Sequence, residues 1–183
     1  MSARLHITQA VTSAQVRPTA VDWDAVYWET LPRVYNFFRY RVGEDQLAED
    51  LTATTFVKAW RARDRYADDL AAFSTWLFSI AQNVAVDHYR RRKPELSLDS
   101  DRLPALTVEH SLEDLIEQRA DSARLTALLN RLTPRERELI ALKYGAELTN
   151  RAIASVTGLS ESNVGTTLHR TIQKLRQQWD ESP

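Results

Sequence analysis

The sequence has no cysteine, which excludes disulfides and thiolate metal sites and fits a reducing cytoplasm. Glycine and proline are scarce, with 4 and 6 among 183 residues. No segment sustains the alternation of a half-buried strand. Apolar residues recur at steps of three and four almost throughout, so the chain reads as all-α. No apolar run approaches the length of a bilayer span, and the first residues lack the apolar core of a secretion signal, so a cytoplasmic protein without membrane insertion is expected. An excess of positive charge is missing too, since the formal net charge is −1. On average, then, this is not a chain that coats nucleic acid, because non-specific affinity scales with the phosphates neutralised.

The average conceals segregation. "HYRRRK" at 88–93 is a compact basic block, whereas 95–121 carries eight acidic residues against Arg102 and Arg119. The C-terminal segment turns basic again at Arg170, Lys174 and Arg176. Two basic zones with an acidic connector suggest two contacts and a spacer.

The length suits one medium domain or two small ones. Residues 1–21 are unpatterned and read as a tail. An aromatic-rich helix over 24–42 stops at Gly43. A second, over 44–66, places Leu47, Leu51, Thr55 and Ala59 at steps of four beside Phe56 and Trp60. After a polar stretch, 73–93 forms a third helix, stopped by Pro94. Residues 94–111 hold two prolines and no apolar face, and read as a flexible linker. Helical character returns at Leu112, and Thr133-Pro134-Arg135-Glu136 is a capping-box start with proline at the first helical position. The expected organisation is two helical domains, 22–93 and 112–180.

In the second domain, Thr149 would cap a short helix from Asn150, Gly158 would permit positive φ in a tight turn, and Ser160 would cap the next helix. Ala154 and Val164 lie where two helices would cross, which describes a helix-turn-helix. On its second helix, Val164, Leu168, Ile172 and Leu175 share one side and Ser162, Thr166, His169, Arg170 and Gln173 the other. Arg and Gln can bond base edges in a major groove, and Ser and Thr can hold phosphates or bases. In the first domain, Trp76, Ile80, Asn83, Asp87 and Arg90 recur along one side of the third helix. Phe73, Leu77, Ile80 and Val84 read as core. The amide of Asn83, in an aromatic setting next to the basic end Arg90–Lys93, suits an unstacked base of single-stranded DNA.

These segments together resemble the two-domain bacterial sigma factors of the extracytoplasmic-function (ECF) class. The second helix carries Ala48-Glu49-Asp50-Leu51, Thr55-Phe56 and Ala59-Trp60 in place of the family's "AEDL..TF..AW". The third carries Phe73, Trp76-Leu77, Ile80-Ala81, Asn83, Asp87 and Arg90, and the family's C-terminal pattern is matched from Leu132 to Arg176. The resemblance implies that Glu49, Asp50, Phe56 and Trp60 dock on the β′ clamp helices of core RNA polymerase. It implies that Arg65, Tyr66, Phe73, Trp76, Asn83, Asp87, Arg90 and Arg91 serve recognition of a promoter −10 element. Ser162, Asn163, Thr166, His169, Arg170, Gln173 and Lys174 would read the −35 element, with the second domain on the β flap. Members of the family are often held by an anti-sigma factor. The chain departs from the pattern at Ala53-Thr54, where Gln-Glu is common, at Gly165, where many members carry a reader, and at Asp68-Asp69 in the preceding loop.

Three other classes offer alternatives. A different helix-turn-helix regulator would explain 132–176 but leave the Trp76/Asn83/Arg90 series without a role. A helical enzyme would have to use Asp22/Asp24, Asp68/Asp69 or His88 with Asp87, none of which has a second matching cluster at metal-ligand spacing. Neither catalytic residues nor a metal or cofactor is expected, and a pure adaptor would make no promoter contact.

Overall fold

The computed structural model describes residues 22–66, 70–92 and 112–181; the expected tail, the linker 94–111 with Pro94, and Asp68-Asp69 lie outside them. Among the described residues there are helices and no strand. Helix α1 spans Trp23–Val42 and α2 Asp45–Arg61, followed by a short 3₁₀ turn at Arg63–Arg65. Helix α3 spans Leu70–Arg92 and α4 Leu112–Asn130. Helix α5, Pro134–Ile140, runs into a π turn at Ala141–Gly145; α6 is Asn150–Thr157 and α7 Glu161–Glu181. Two expected boundaries move. Helix α2 stops at Arg61 rather than 66, and α3 begins at Leu70 rather than 73, because the apolar run Leu70-Ala71-Ala72 belongs to the helix rather than to the polar stretch.

Local chemistry sets the ends. Asp22 accepts from the Ala25 amide at 3.1 Å to start α1, and Gly43 closes it at φ 74 with its amide on the Arg39 carbonyl. Thr133 and Glu136 form the reciprocal capping box that opens α5. Thr149 accepts from Ala152 N at 3.2 Å, and Gly158 ends α6 at φ 72. Ser160 accepts from Asn163 N at 3.2 Å at the head of α7. All three turn signals of the expected helix-turn-helix are thus met.

The core is built on α1. Phe37 and Phe38 are fully buried, 5.0 Å apart between ring centroids, and Phe78 of α3 stands 5.9 Å from Phe37. Burial of each such ring contributes about 1.5–3 kcal/mol. The same apolar cluster continues into Leu139, Leu142, Ile153, Val164 and Leu168, so the two expected domains meet over one shared core. Helix α1 packs against both α2 and the π turn, and α6 packs on α3. Charged groups occupy this meeting surface as well. Arg41 and Glu138, both buried, lie 3.6 Å apart across it.

Candidate nucleic-acid interface

The second helix of the helix-turn-helix is amphipathic along its whole length. Val164, Leu168 and Thr171 are buried, with Ile172 and Leu175 packed at the edge of the core. Thr171 was not expected there; its hydroxyl is satisfied by the Thr167 carbonyl at 2.8 Å, so it packs like a small apolar residue. Ser162, Asn163, Thr166, His169, Arg170 and Gln173 are all exposed. They form one exposed polar face. His169 and Gln173 touch at 3.2 Å and Thr167 donates to Asn163 at 3.1 Å, so the face is partly ordered in advance. Lys174 differs from its neighbours. It is half-buried and paired with Glu136 of α5 at 3.5 Å, tying α7 to the preceding helix. Gly165 is also half-buried, and a Cβ there would meet Asn150 of α6 at 3.5 Å. The departure from the family pattern thus falls where the two helices cross, beside the exposed polar face.

On α3 the candidates divide. Phe73 is 3% exposed, so it is a core residue whose ring packs edge-on against Tyr66 and Trp23, at 5.1 and 5.9 Å, and tilted against Trp76 at 5.5 Å. The reason is position: the start of α3 is covered by the N-terminus of α1. Trp76 and Tyr66 are half-buried in this aromatic cluster, their ring centroids 5.3 Å apart. Asn83, Arg90 and Arg91 are exposed on the same helix, and Arg65 on the 3₁₀ turn before it. Asp87 bonds both Lys58 of α2 and Arg90 at 3.3 Å, so it positions two cations and does not meet a base as a bare carboxylate. The side of α3 that bears Gln82 turns toward α5, leaving the Trp76–Asn83–Arg90 side clear of that contact.

The third surface lies on α2 with α1. Glu49 and Asp50 are exposed at its N-terminal half, Trp60 is 52% exposed near its end and Phe56 half-buried between them. Tyr27, Trp28 and Val57 extend the apolar area, and an open groove of about 680 Å³ runs along it past Leu31, Tyr35, Glu49, Ala53 and Phe56. Burial, and then the carboxylate of Asp45, raises the Tyr35 phenol, which stays a protonated donor at the groove wall. Tyr27 and Trp28 carried no signal beyond helical aromatic periodicity. Among the described residues no group of His, Asp or Glu could hold a metal ion, and no helix is long and apolar enough to cross a membrane.

Comparison with known proteins identifies the family of each half. The chain matches the Sigma-70 region 2 family over residues 26–95 and the Sigma-70, region 4 family over 122–175. It is 32% identical over 143 residues to the ECF RNA polymerase sigma factor BldN of Streptomyces coelicolor, covering 78% of this chain but only 54% of that protein. It is 30% identical over 131 residues to an RNA polymerase sigma-E factor of Streptomyces avermitilis, covering 72% and 70%. The solved structure of CnrH in complex with the cytosolic domain of CnrY is similar at 26% identity and TM-score 0.60, over 87% of this chain and 86% of that one.

Proposed function

The chain belongs to the ECF RNA polymerase sigma factors, and from that premise we infer that it binds core RNA polymerase, directs it to promoters and promotes their opening. The observation that carries this reading is the pair of family matches in order along one chain, each on a half that presents a solvent-facing polar helix face. The work divides between 22–93, which docks on polymerase and recognises the −10 element, and 112–180, which reads the −35 element.

Glu49 and Asp50 with the Phe56/Trp60 surface suit the β′ clamp helices, and the second half would sit on the β flap. Asn83, beside the Trp76/Tyr66 cluster, can bond a base that has left the stack, while Arg65, Arg90 and Arg91 hold the phosphates on either side. Capturing that base traps melted DNA, so strand opening draws on binding energy and needs no catalytic group in this chain. The protein works without cofactor, as a regulator rather than an enzyme, in the cytoplasm where the polymerase is. Arg170, with Gln173, His169 and Thr166, reads the −35 element in the major groove; Ser162 and Asn163, at the helix N-terminus, suit a phosphate. Lys174, through Glu136, seats the reading helix. CnrH is itself held by a second protein, and an anti-sigma partner for this chain belongs to the same proposal.

The test is run-off transcription from a genomic promoter library with core RNA polymerase, with and without this protein. New transcripts sharing two upstream motifs at fixed spacing are expected. Failure to bind core would remove the sigma reading and leave only a helix-turn-helix.

A further inference from the structure

The apolar groove between α1 and α2 does not end at Tyr27 and Phe56. A second cavity, of about 480 Å³, shares those two residues and continues past Trp23, Trp60, Phe73 and Leu77. Together they make one trench along α1, with exposed Val57 and Trp60 on its α2 side and the small Ala53 in its wall. Its charge is uneven. Asp24 and Glu49 line it, and exposed Asp50 stands one turn before Ala53. Of the two cations that line it, Arg39 is tied to Asp45 and Ser122, and Arg61 is exposed.

We propose that residues 1–21 of this chain fill the trench in the free protein and are displaced when core polymerase docks there. The inference rests on the sigma reading above. Its first support is position. The segment joins the fold at Asp22, and the next two residues, Trp23 and Asp24, already line the trench. Reach is ample as well. From Asp24 to Tyr35, which lines the trench with Glu49, is about 17 Å along a helix, whereas 21 residues can extend to about 70 Å.

Composition is the second support. Residues 1–21 hold no Asp or Glu. Arg4 and Arg17 suit Asp24, Glu49 and Asp50, while Leu5, Ile7, Val11 and Val16 suit the ring-lined floor. A second copy of this chain fits worse, because pairing the same face with itself would bring two acidic surfaces together. A tethered segment works at an effective concentration on the order of mM. Weak contacts then suffice to fill the trench, and they yield to a partner that covers more surface. A trench free about one time in ten lowers the apparent affinity for polymerase about tenfold.

The chain has no native cysteine, so a single one can be placed in the wall. Ala53→Cys carrying a benzophenone maleimide, irradiated as the dilute full chain, should cross-link to residues 1–21 of the same molecule. Core polymerase should suppress that product. Cross-links to α1 and α2 alone overturn the proposal, and so does a product joining two molecules, which would mean a dimer across this face. Arg4→Glu/Arg17→Glu leaves every residue of the described helices as it is. This variant should lose the cross-link and bind core polymerase about tenfold more tightly than the wild type does. Unchanged affinity overturns the competition. If neither protein binds core, the sigma reading falls, while the cross-link still decides what fills the trench.

Discussion

Helices α3 and α7 are of similar length, 23 and 21 residues, and both are proposed to read DNA, yet they sit differently in the fold. Helix α7 buries a single stripe, Val164–Leu168–Thr171, and shows its whole opposite face to solvent. Helix α3 is central. It buries Phe73, Leu77, Phe78, Ala81, Val84 and Ala85, meets α5 through Gln82, and leaves the Trp76–Asn83–Arg90 strip, with Val86 and Tyr89, toward solvent. A peripheral helix can devote half its surface to recognition, whereas a central one must fit recognition into what packing leaves over. That difference suits the two tasks. Intact duplex needs a long protruding helix, and a single unstacked base needs a pocket backed by a rigid core.

The largest expected effect tests the rigid core. Phe78→Ala should cost about 3–5 kcal/mol, because the ring is fully buried among α1 and α3 aromatics and the site cannot collapse without moving both helices. Urea denaturation of the full chain measures it. A loss below that of an exposed substitution such as Gln173→Ala would mean that α3 is not the centre of the molecule.

Next comes the protruding face. Arg170→Ala should weaken use of promoters with the native −35 element by about 1–3 kcal/mol, the worth of a good bidentate base contact. Promoters lacking that element should be unaffected, and an equal loss at all promoters would reassign Arg170 to phosphate. Asn83→Ala should be smaller, about 1 kcal/mol for one hydrogen bond. It should spare polymerase binding and reduce permanganate reactivity of the melted strand; unchanged reactivity would take Asn83 out of the pocket.

The same contrast explains what could be read from the sequence. The capping residues of α5, α6 and α7 and the apolar stripe of α7 act through near neighbours, so spacing alone located them. Helix α3 was harder. Phe73 and Trp76 share its periodic pattern with the readers, but the N-terminus of α1 covers Phe73 and leaves Trp76 half open, a long-range fact that no local pattern encodes. The Arg41–Glu138 contact left no trace at all. Nothing near Arg41 separates it from Arg39, which instead meets Asp45 and Ser122.

The smallest expected effect concerns how α7 is seated. Thr133 caps α5 by accepting from Glu136 N at 3.3 Å, and the Glu136 carboxylate accepts from Thr133 N at 2.8 Å while also meeting Lys174 of α7. The backbone bond from Thr133, then its hydroxyl and then the Lys174 charge hold the Glu136 carboxyl below the usual glutamate range. A depressed folded value means the carboxylate form is favoured by folding. Its contribution is therefore complete above the ordinary glutamate pKa and is lost as pH falls through the folded one. Glu136→Gln should flatten that acid limb of the stability curve without altering stability at neutral pH by more than the cap itself contributes. Thr133→Ala should cost about 1 kcal/mol at neutral pH and keep most of the acid limb, because the backbone amide that lowers the carboxyl survives the substitution. If the two variants lose the limb equally, the Thr133 hydroxyl rather than its amide sets the carboxyl. Lys174→Ala should move the limb least, and a larger shift there than in Glu136→Gln would mean that Lys174 has acid-sensitive partners on α7 beyond this seat.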